Sequence, residues 1–452
     1  MTHDSNVSSS ATNKIIWRII PFICILYMFN IIDRANVGFA RLTMTRDVGI
    51  TEAVIDWGYG LFYLGYLVFE VPSNLMLRRF GARVWISRIM VSWGLVSMLT
   101  MFVTDSNTYY AVRILLGIAE AGFFPGIIFY LTAWFPDAKR ARVIAWFMLA
   151  IPAANVIGNP ISGFIMDGFN GYMGLAGWKW LFLLEGFPSV ALGILVLRVL
   201  PDRPRDASWL NKNEIQWIEE EIEVESSTRK RAGGKDQLAA LADLRVWLLI
   251  GLYLSVAVGT NATGAYLPKL VKGLFEYSTS DGVSNTVSGS LMVVGLLSAL
   301  PHLSSVFSML IASWVSDRWR MRGYIISVAL GIAAIGWLMA WKLSNPWLAL
   351  TGLCLAQAGM MAVLPVFWAL PSLFLGGAAA AAGIALINSV ANIGSIFAPR
   401  IIGEWGLGPM VLAMIWGVLM AVLSNWFVEH KFSVLSHDSL NEKEKDNDQS
   451  TV

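Results

Sequence analysis

Apolar residues run along this chain in long blocks, with neither the strict alternation of a half-buried strand nor the single apolar stripe of a surface helix. Twelve such blocks stand near residues 16–40, 54–77, 83–103, 108–132, 142–166, 178–200, 245–268, 287–315, 323–342, 346–370, 379–403 and 407–428. A helix rises about 1.5 Å per residue, so about 20 mostly apolar residues cross the hydrocarbon core of a bilayer. Each block meets that length, and the pattern predicts twelve spanning helices.

Short polar joints separate most blocks, but residues 201–244 differ. Pro201 and Pro204 open the stretch, Glu214, Glu219, Glu220, Glu221, Glu223 and Glu225 make it acidic, and Arg229, Lys230 and Arg231 reverse the sign. The expected organisation is a cytoplasmic tail at 1–14, a six-helix bundle at 15–200, a cytoplasmic linker at 201–244, a second six-helix bundle at 245–430 and a polar tail at 431–452. Within the linker, Leu210, Ile215, Trp217, Ile218 and Ile222 recur at helical spacing. A short amphipathic helix on a membrane surface and a solvated connector are the competing readings. The fold class is an all-α membrane protein of two pseudo-symmetric bundles.

Composition agrees with a bilayer as solvent. Of 452 residues, 56% are hydrophobic and 14% charged, with mean hydropathy +0.60, which is more apolar surface than one soluble core consumes. The two cysteines, Cys24 and Cys354, lie in different halves, so neither a disulfide framework nor a metal cluster is expected. The polar first thirteen residues show no basic-then-apolar pattern ending in a small-residue cleavage site, and no removable signal peptide is expected. Arg78, Arg79, Arg83 and Arg88 follow the second block, Lys139, Arg140 and Arg142 the fourth, and Arg318, Arg320 and Arg322 the eighth. Positive charge marks the cytoplasm, so both termini are expected inside the cell.

Four ionisable residues break the apolar pattern: Asp33 and Arg34 in the first block, Arg113 and Glu120 in the fourth. A charge at mid-membrane costs roughly 2.5 to 3.5 kcal/mol on insertion scales, so charges kept there face a polar cavity and act on ions or substrates. The first span runs outward and the fourth inward, which brings Asp33 and Arg34 to the depth of Arg113. Glu120 follows Arg113 by two turns on one face. Making and breaking acid–base pairs drives proton uptake and release, and a guanidinium freed from its internal partner takes a carboxylate through two parallel hydrogen bonds. The competing reading is a buried salt bridge that only fixes helix packing.

Enzyme chemistry has no foothold here. The chain has no His-Glu-x-x-His, no Gly-x-Ser-x-Gly, no phosphate-binding Gly-x-x-x-x-Gly-Lys-Ser/Thr and only four histidines. Charges gathered in one half form no selectivity ring, which argues against a channel. An exporter or a non-transporting membrane sensor stays open as an alternative.

Two loops carry a repeated signature: Pro72 to Arg83, PSNLMLRRFGAR, and Ala312 to Arg322, ASWVSDRWRMR. Here the chain resembles the major facilitator superfamily, although Arg78 stands where the first copy of that motif usually has Asp. NIIDRANVGFA at 30–40, RILLGIAEAGFFPGIIFYLTAWFP at 113–136, WKWLFLLEGFPS at 178–189 and INSVANIGS at 387–395 are similar to its anion:cation symporter family. That resemblance implies secondary active import of an organic carboxylate by proton symport, with alternating access, in the bacterial inner membrane. It implies Arg34 as the substrate-carboxylate arginine, Asp33 and Glu120 as proton carriers, Arg113 as their charge-responsive partner, and Tyr66, Trp368 and Asn388 as cavity lining. Tyr63, Asn155 and Asn392 are weaker candidates, at helical spacing from Tyr66, Asn159 and Asn388. Helix-to-helix packing is the competing reading for each of these aromatic and amide residues.

The expected partners are a small organic carboxylate, protons and the lipid bilayer, with no cofactor, no metal and no nucleic acid, for a monomer. Ile151 stands where sugar-acid relatives commonly carry Gln, and Val366 and Phe367 precede Trp368. An unpaired hydroxyl in such a site costs on the order of 1 to 3 kcal/mol, which favours an aromatic or sparsely hydroxylated acid over a sugar acid or a tartrate-like dicarboxylate. Glu185 and Arg400 are expected near the outer surface as snorkelling or local structural charges.

Overall fold

The computed structural model describes residues 2–231, 243–276, 289–319, 321–368, 370–371 and 377–426. Its helices are α1 (Thr2–Val48), α2 (Glu52–Phe80), α3 (Ala82–Leu99), α4 (Ser106–Glu120), α5 (Phe123–Thr132), α6 (Asp137–Met148), α7 (Ala150–Gly168), α8 (Gly177–Val199) and α9 (Lys212–Arg231) in the first part of the chain. The second part supplies α10 (Leu244–Glu276), α11 (Leu291–Trp319), α12 (Arg322–Lys342), α13 (Pro346–Phe367), α14 (Gly377–Trp405) and α15 (Gly408–Trp426). Among the described residues, eleven helical segments are long and apolar enough to cross a membrane, with Ser106–Thr132 counted as one. α14 is a further helix of 29 residues, where the eleventh block was expected.

Local chemistry sets the helix ends. The Asp105 side chain accepts from the N–H groups of Asn107 and Thr108 at the start of α4 while Thr108 returns a bond to Asp105, a capping box. The block expected as one span at 108–132 breaks at Gly122. Ala121 leaves helical geometry (ψ 131°) and Gly122 turns left-handed (φ 87°), so α4 ends at Glu120 and α5 starts at Phe123. Only a residue without a Cβ adopts that turn cheaply, and the space agrees: a Cβ on Gly122 would strike the Ser73 hydroxyl.

The linker forms a helix, α9, and it docks on the extended start of α1 rather than running as a solvated connector. Buried Glu214 accepts from Lys14 Nζ at 2.8 and 2.9 Å and from Ser10 Oγ at 2.7 Å. Trp209, ahead of α9, stacks on Trp134 with ring centres 5.8 Å apart, and Lys139 lies 4.5 Å from the Trp217 ring centre. These contacts explain why α1 begins well before residue 16.

Hydrogen bonds between the halves cluster near the ends of the helices remote from the N-terminus. Arg41 donates to the Ala265 carbonyl at 3.2 Å, Tyr266 donates to Asp56 at 2.6 Å, and Lys269 pairs with Glu52 at 3.0 Å. On the other flank Asn159 donates to the Ser298 carbonyl at 3.1 Å, and Asp167 accepts from Ser290 and from the Met292 N–H. Glycines let the backbones approach there: a Cβ on Gly163 would collide with the Leu291 carbonyl, and one on Gly295 with the Asn159 carbonyl.

Candidate functional site

The first half brings its charges together around α1 and α4, in a different pairing from the one expected. Arg34 Nε bonds Glu120 Oε1 across the two helices, and Asn30, one turn before Arg34, donates to the same oxygen at 2.6 Å. Glu120 is the last residue of α4 before the break. The Arg34 side chain keeps 24% of its surface exposed while Glu120 keeps 1%, so the guanidinium is the accessible partner. Its Cζ lies 5.1 Å from the Tyr66 ring centre and 5.5 Å from that of Phe62, which favours a cation over these faces.

Arg113 is placed otherwise. It is buried, lies 5.0 Å from the Phe62 ring centre and 5.5 Å from that of Tyr59, and donates to the Gly58 carbonyl at 3.4 Å. Among the described residues no acid lies within ion-pair distance of it. Phe62 thus separates two guanidiniums whose rings and carbonyl partners all come from α2.

Asp33 points away from Arg34, toward α3. Its Oδ1 accepts from Ser97 and, at 3.1 Å, from Asn36, and its Oδ2 has no hydrogen-bond partner. The continuous column of two arginines and two acids therefore resolves into an ion pair, Arg34–Glu120, and a separate buried acid, Asp33. Glu185 also departs from expectation. It is buried at 4% exposure and accepts from Ser162 at 2.6 Å, rather than snorkelling to a surface. Arg400 pairs with Glu404 and lies over Trp57, as a local structural charge does.

The cavity-lining candidates separate by what they touch. Tyr66 is ordered against Arg34. Tyr63 lies beside Arg34 and donates to Asn261 across the halves, and Asn261 donates on to Ser395 at 2.9 Å, so Tyr63 links the arginine to the other half. Asn155 spends its amide on the Ile151 carbonyl of its own helix at 3.0 Å. Trp368 is half-buried and meets Tyr253 edge to face at 4.9 Å. Phe367 is fully buried and stacked on Tyr253 at 5.0 Å, so it does not line an open site as the specificity argument required. Asn388 and Asn392 are half-buried one turn apart on α14, and no hydrogen bond joins either to the Arg34–Glu120 pair. Sequence reasoning missed Asn30, Asn36 and Ser97; the available signal was amide residues within one turn of Asp33 and Arg34.

A sequence model described as "Major Facilitator Superfamily" matches residues 23–399. The chain is 42% identical over 400 residues, 88% of this chain and 89% of the other, to an Agrobacterium vitis protein with the provisional name tartrate transporter. It is likewise 42% identical over 396 residues, 86% of this chain and 87% of the other, to a Pseudomonas putida protein provisionally named metabolite transport protein NicT. Among solved structures, the inward open conformation of the xylose transporter XylE from E. coli superposes with a TM-score of 0.67 at 15% identity, covering 90% of this chain and 95% of that one, a likeness of fold.

Proposed function

The chain belongs to the Major Facilitator Superfamily and is a multi-pass membrane transporter rather than an enzyme; from that premise we propose that it imports a small organic carboxylate together with protons. The observation that carries this reading is the Arg34–Glu120 pair. A substrate carboxylate competes with Glu120 for the exposed guanidinium, and protonation of Glu120 frees Arg34 for it. Binding of anion and proton are then mutually favourable, which is the thermodynamic content of symport. Glu120 lies at the α4–α5 break, where a small backbone adjustment moves its carboxyl relative to α1. The seam through Arg41, Asp56, Tyr266 and Lys269 closes one end of the site and opens when the halves rock about it.

The bonded outer ends agree with an inward-facing state of a protein whose termini lie in the cytoplasm, in the inner membrane of a bacterium, working as a monomer. Tyr66, Tyr253 and Trp368 offer ring faces to a planar acid. A second reading, a tartrate-like dicarboxylate, is favoured by the name of the Agrobacterium vitis relative. Uptake into proteoliposomes tests both. Imposing an inward proton gradient should drive accumulation of the true substrate, and a protonophore should abolish that accumulation while leaving slow equilibration. Accumulation that persists without a gradient of protons or sodium would end the symport reading. Benzoate-like acids and tartrate, offered as competitors at equal pH and ionic strength, separate the two substrate classes.

A further inference from the structure

Behind the ion pair, α1, α3, α7 and α8 enclose a second group of polar side chains that the proposed exchange at Arg34 does not use. Asp33 and Asn36 come from α1, Ser97 from α3, Ser162 from α7 and Glu185 from α8. All five are buried. Asn36, which bonds Asp33, also lies within hydrogen-bonding reach of Glu185, so the two acids belong to one cluster.

A donor count shows what this cluster lacks. Ser97 and one N–H of Asn36 Nδ2 go to Asp33 Oδ1, Ser162 goes to Glu185 Oε1, and the second N–H of Asn36 is the one donor left over. Three acceptors remain without any partner: Asp33 Oδ2, Asn36 Oδ1 and Glu185 Oε2. An unsatisfied buried polar atom is destabilising, and a bare buried carboxylate is more so. Arg113 is the cation whose charge reaches Asp33, and no Lys or Arg lies within ion-pair distance of Glu185 among the described residues. From α3, which packs along α8, the ionisable residues are Arg83 and Arg88, both toward the opposite end of that helix from Ser97. From α7 only Ser162 bonds Glu185; Asp167, further along α7, is engaged by Ser290.

We propose that Glu185 is a proton-binding acid that titrates as a pair with Asp33, with Asn36 seated between them. A proton added to each carboxylate turns an acceptor oxygen into an O–H donor, and Asn36 Oδ1 is the acceptor placed to receive one of them. Loss of a proton from either acid leaves a negative charge beside the other, so the two protons are held by the pair rather than by independent sites. The proposal deepens the symport reading, on which it rests for its role: the transporter has a proton store separate from the substrate-linked Glu120.

Infrared titration of the purified full-length protein, without substrate, tests it. The protonated-carboxyl C=O band should titrate with pH, lose part of its amplitude in Glu185→Gln, and in Asp33→Asn show a moved midpoint for the component that remains. A band unchanged by Glu185→Gln, or a Glu185 component indifferent to Asp33→Asn, overturns the pair. Ser162→Ala guards against a variant that fails to fold, because it keeps the carboxyl and removes only its donor; it must move the Glu185 component, and an unmoved component counts against the proposal. Replacing choline chloride by sodium chloride should leave the titration as it is, and a sodium-dependent loss of the band would make the cluster a metal-cation site instead. Proton-driven uptake of tartrate or benzoate by the wild type is measured separately: its absence removes the symport reading without touching the infrared result.

Discussion

Asn30 and Arg34 stand one turn apart on α1 and donate to the same oxygen of Glu120, so the acid is held by a neutral amide as well as by the guanidinium. In the proposed exchange, Asn30 still satisfies that oxygen once Arg34 turns to a substrate carboxylate. The exchange of partners therefore leaves no orphaned acceptor in a buried place.

Under the proposed exchange, binding and coupling are separable by substitution. Arg34→Lys keeps the charge but removes the planar fork, and should weaken carboxylate binding by at least tenfold, a loss of about 1.4 kcal/mol. Glu120→Gln mimics the protonated acid and should retain substrate exchange while losing proton-driven accumulation. Counterflow and gradient-driven uptake of the same labelled acid distinguish them; normal binding by Arg34→Lys would refute the assignment.

The seam between halves gives a conformational prediction. Arg41 is buried against Asp56 at 2.5 Å and its Cζ lies 4.0 Å from the Tyr266 ring centre. Tyr266→Phe removes one hydrogen bond, worth about 1 kcal/mol, and should shift the population toward the state open at that end. Asp56→Ala leaves buried Arg41 with Glu52 alone at 3.2 Å and should cost stability, by less than the roughly 3 to 5 kcal/mol of a fully unpaired buried charge. Alkylation of a cysteine placed at Asn388, in a background lacking Cys24 and Cys354, reports the shift when an impermeant reagent is applied from the outside. Unaltered labelling in Tyr266→Phe would show that the seam does not hold the closed state.

Steric closure is testable by itself. A Cβ on Gly163 meets the Leu291 carbonyl, a backbone atom that cannot swing aside. Gly163→Ala should therefore hold α7 and α11 apart, raise the same labelling, and reduce uptake severalfold. Wild-type uptake and labelling would mean that the helices separate there at no cost.

The docking of α9 carries a pH dependence. Burial pushes the Glu214 carboxyl up, but bonds from Lys14, the Asn211 N–H and Ser10 outweigh it and hold it below the usual glutamate range. A depressed folded-state value contributes stability that is present above the ordinary carboxylate range and is lost as pH falls through the folded value. Hydrogen exchange in α9, corrected for intrinsic rate, should therefore quicken on acidification below the usual carboxylate range, and Lys14→Ala should bring that loosening nearer to neutrality. Equal protection of α9 at both pH values would contradict the link.

Specificity rests on fewer contacts than composition suggested, since Phe367 packs into the core against Tyr253. Trp368→Ala should still reduce competition by an aromatic acid more than by tartrate, because a ring face is lost and no hydrogen bond. Equal effects on both competitors would favour the dicarboxylate reading.

Spans, halves and the four intramembrane charges were legible in the sequence because hydropathy adds along the chain and asks nothing of neighbours. Pairing was not legible. Each residue turns about 100° around its helix, so Asp33 and Arg34, adjacent in sequence, face different helices: one meets Ser97 on α3 and the other Glu120 on α4. The depth of Glu185 could be read from its place in the sixth block, but its burial depends on how α8 is rotated against α7 and α3. The same holds for Arg41 and Asp56, whose pairing is completed by Tyr266 of the other half. Composition determines how many helices enter the bilayer, whereas packing of one helix against the next determines which charge finds which partner.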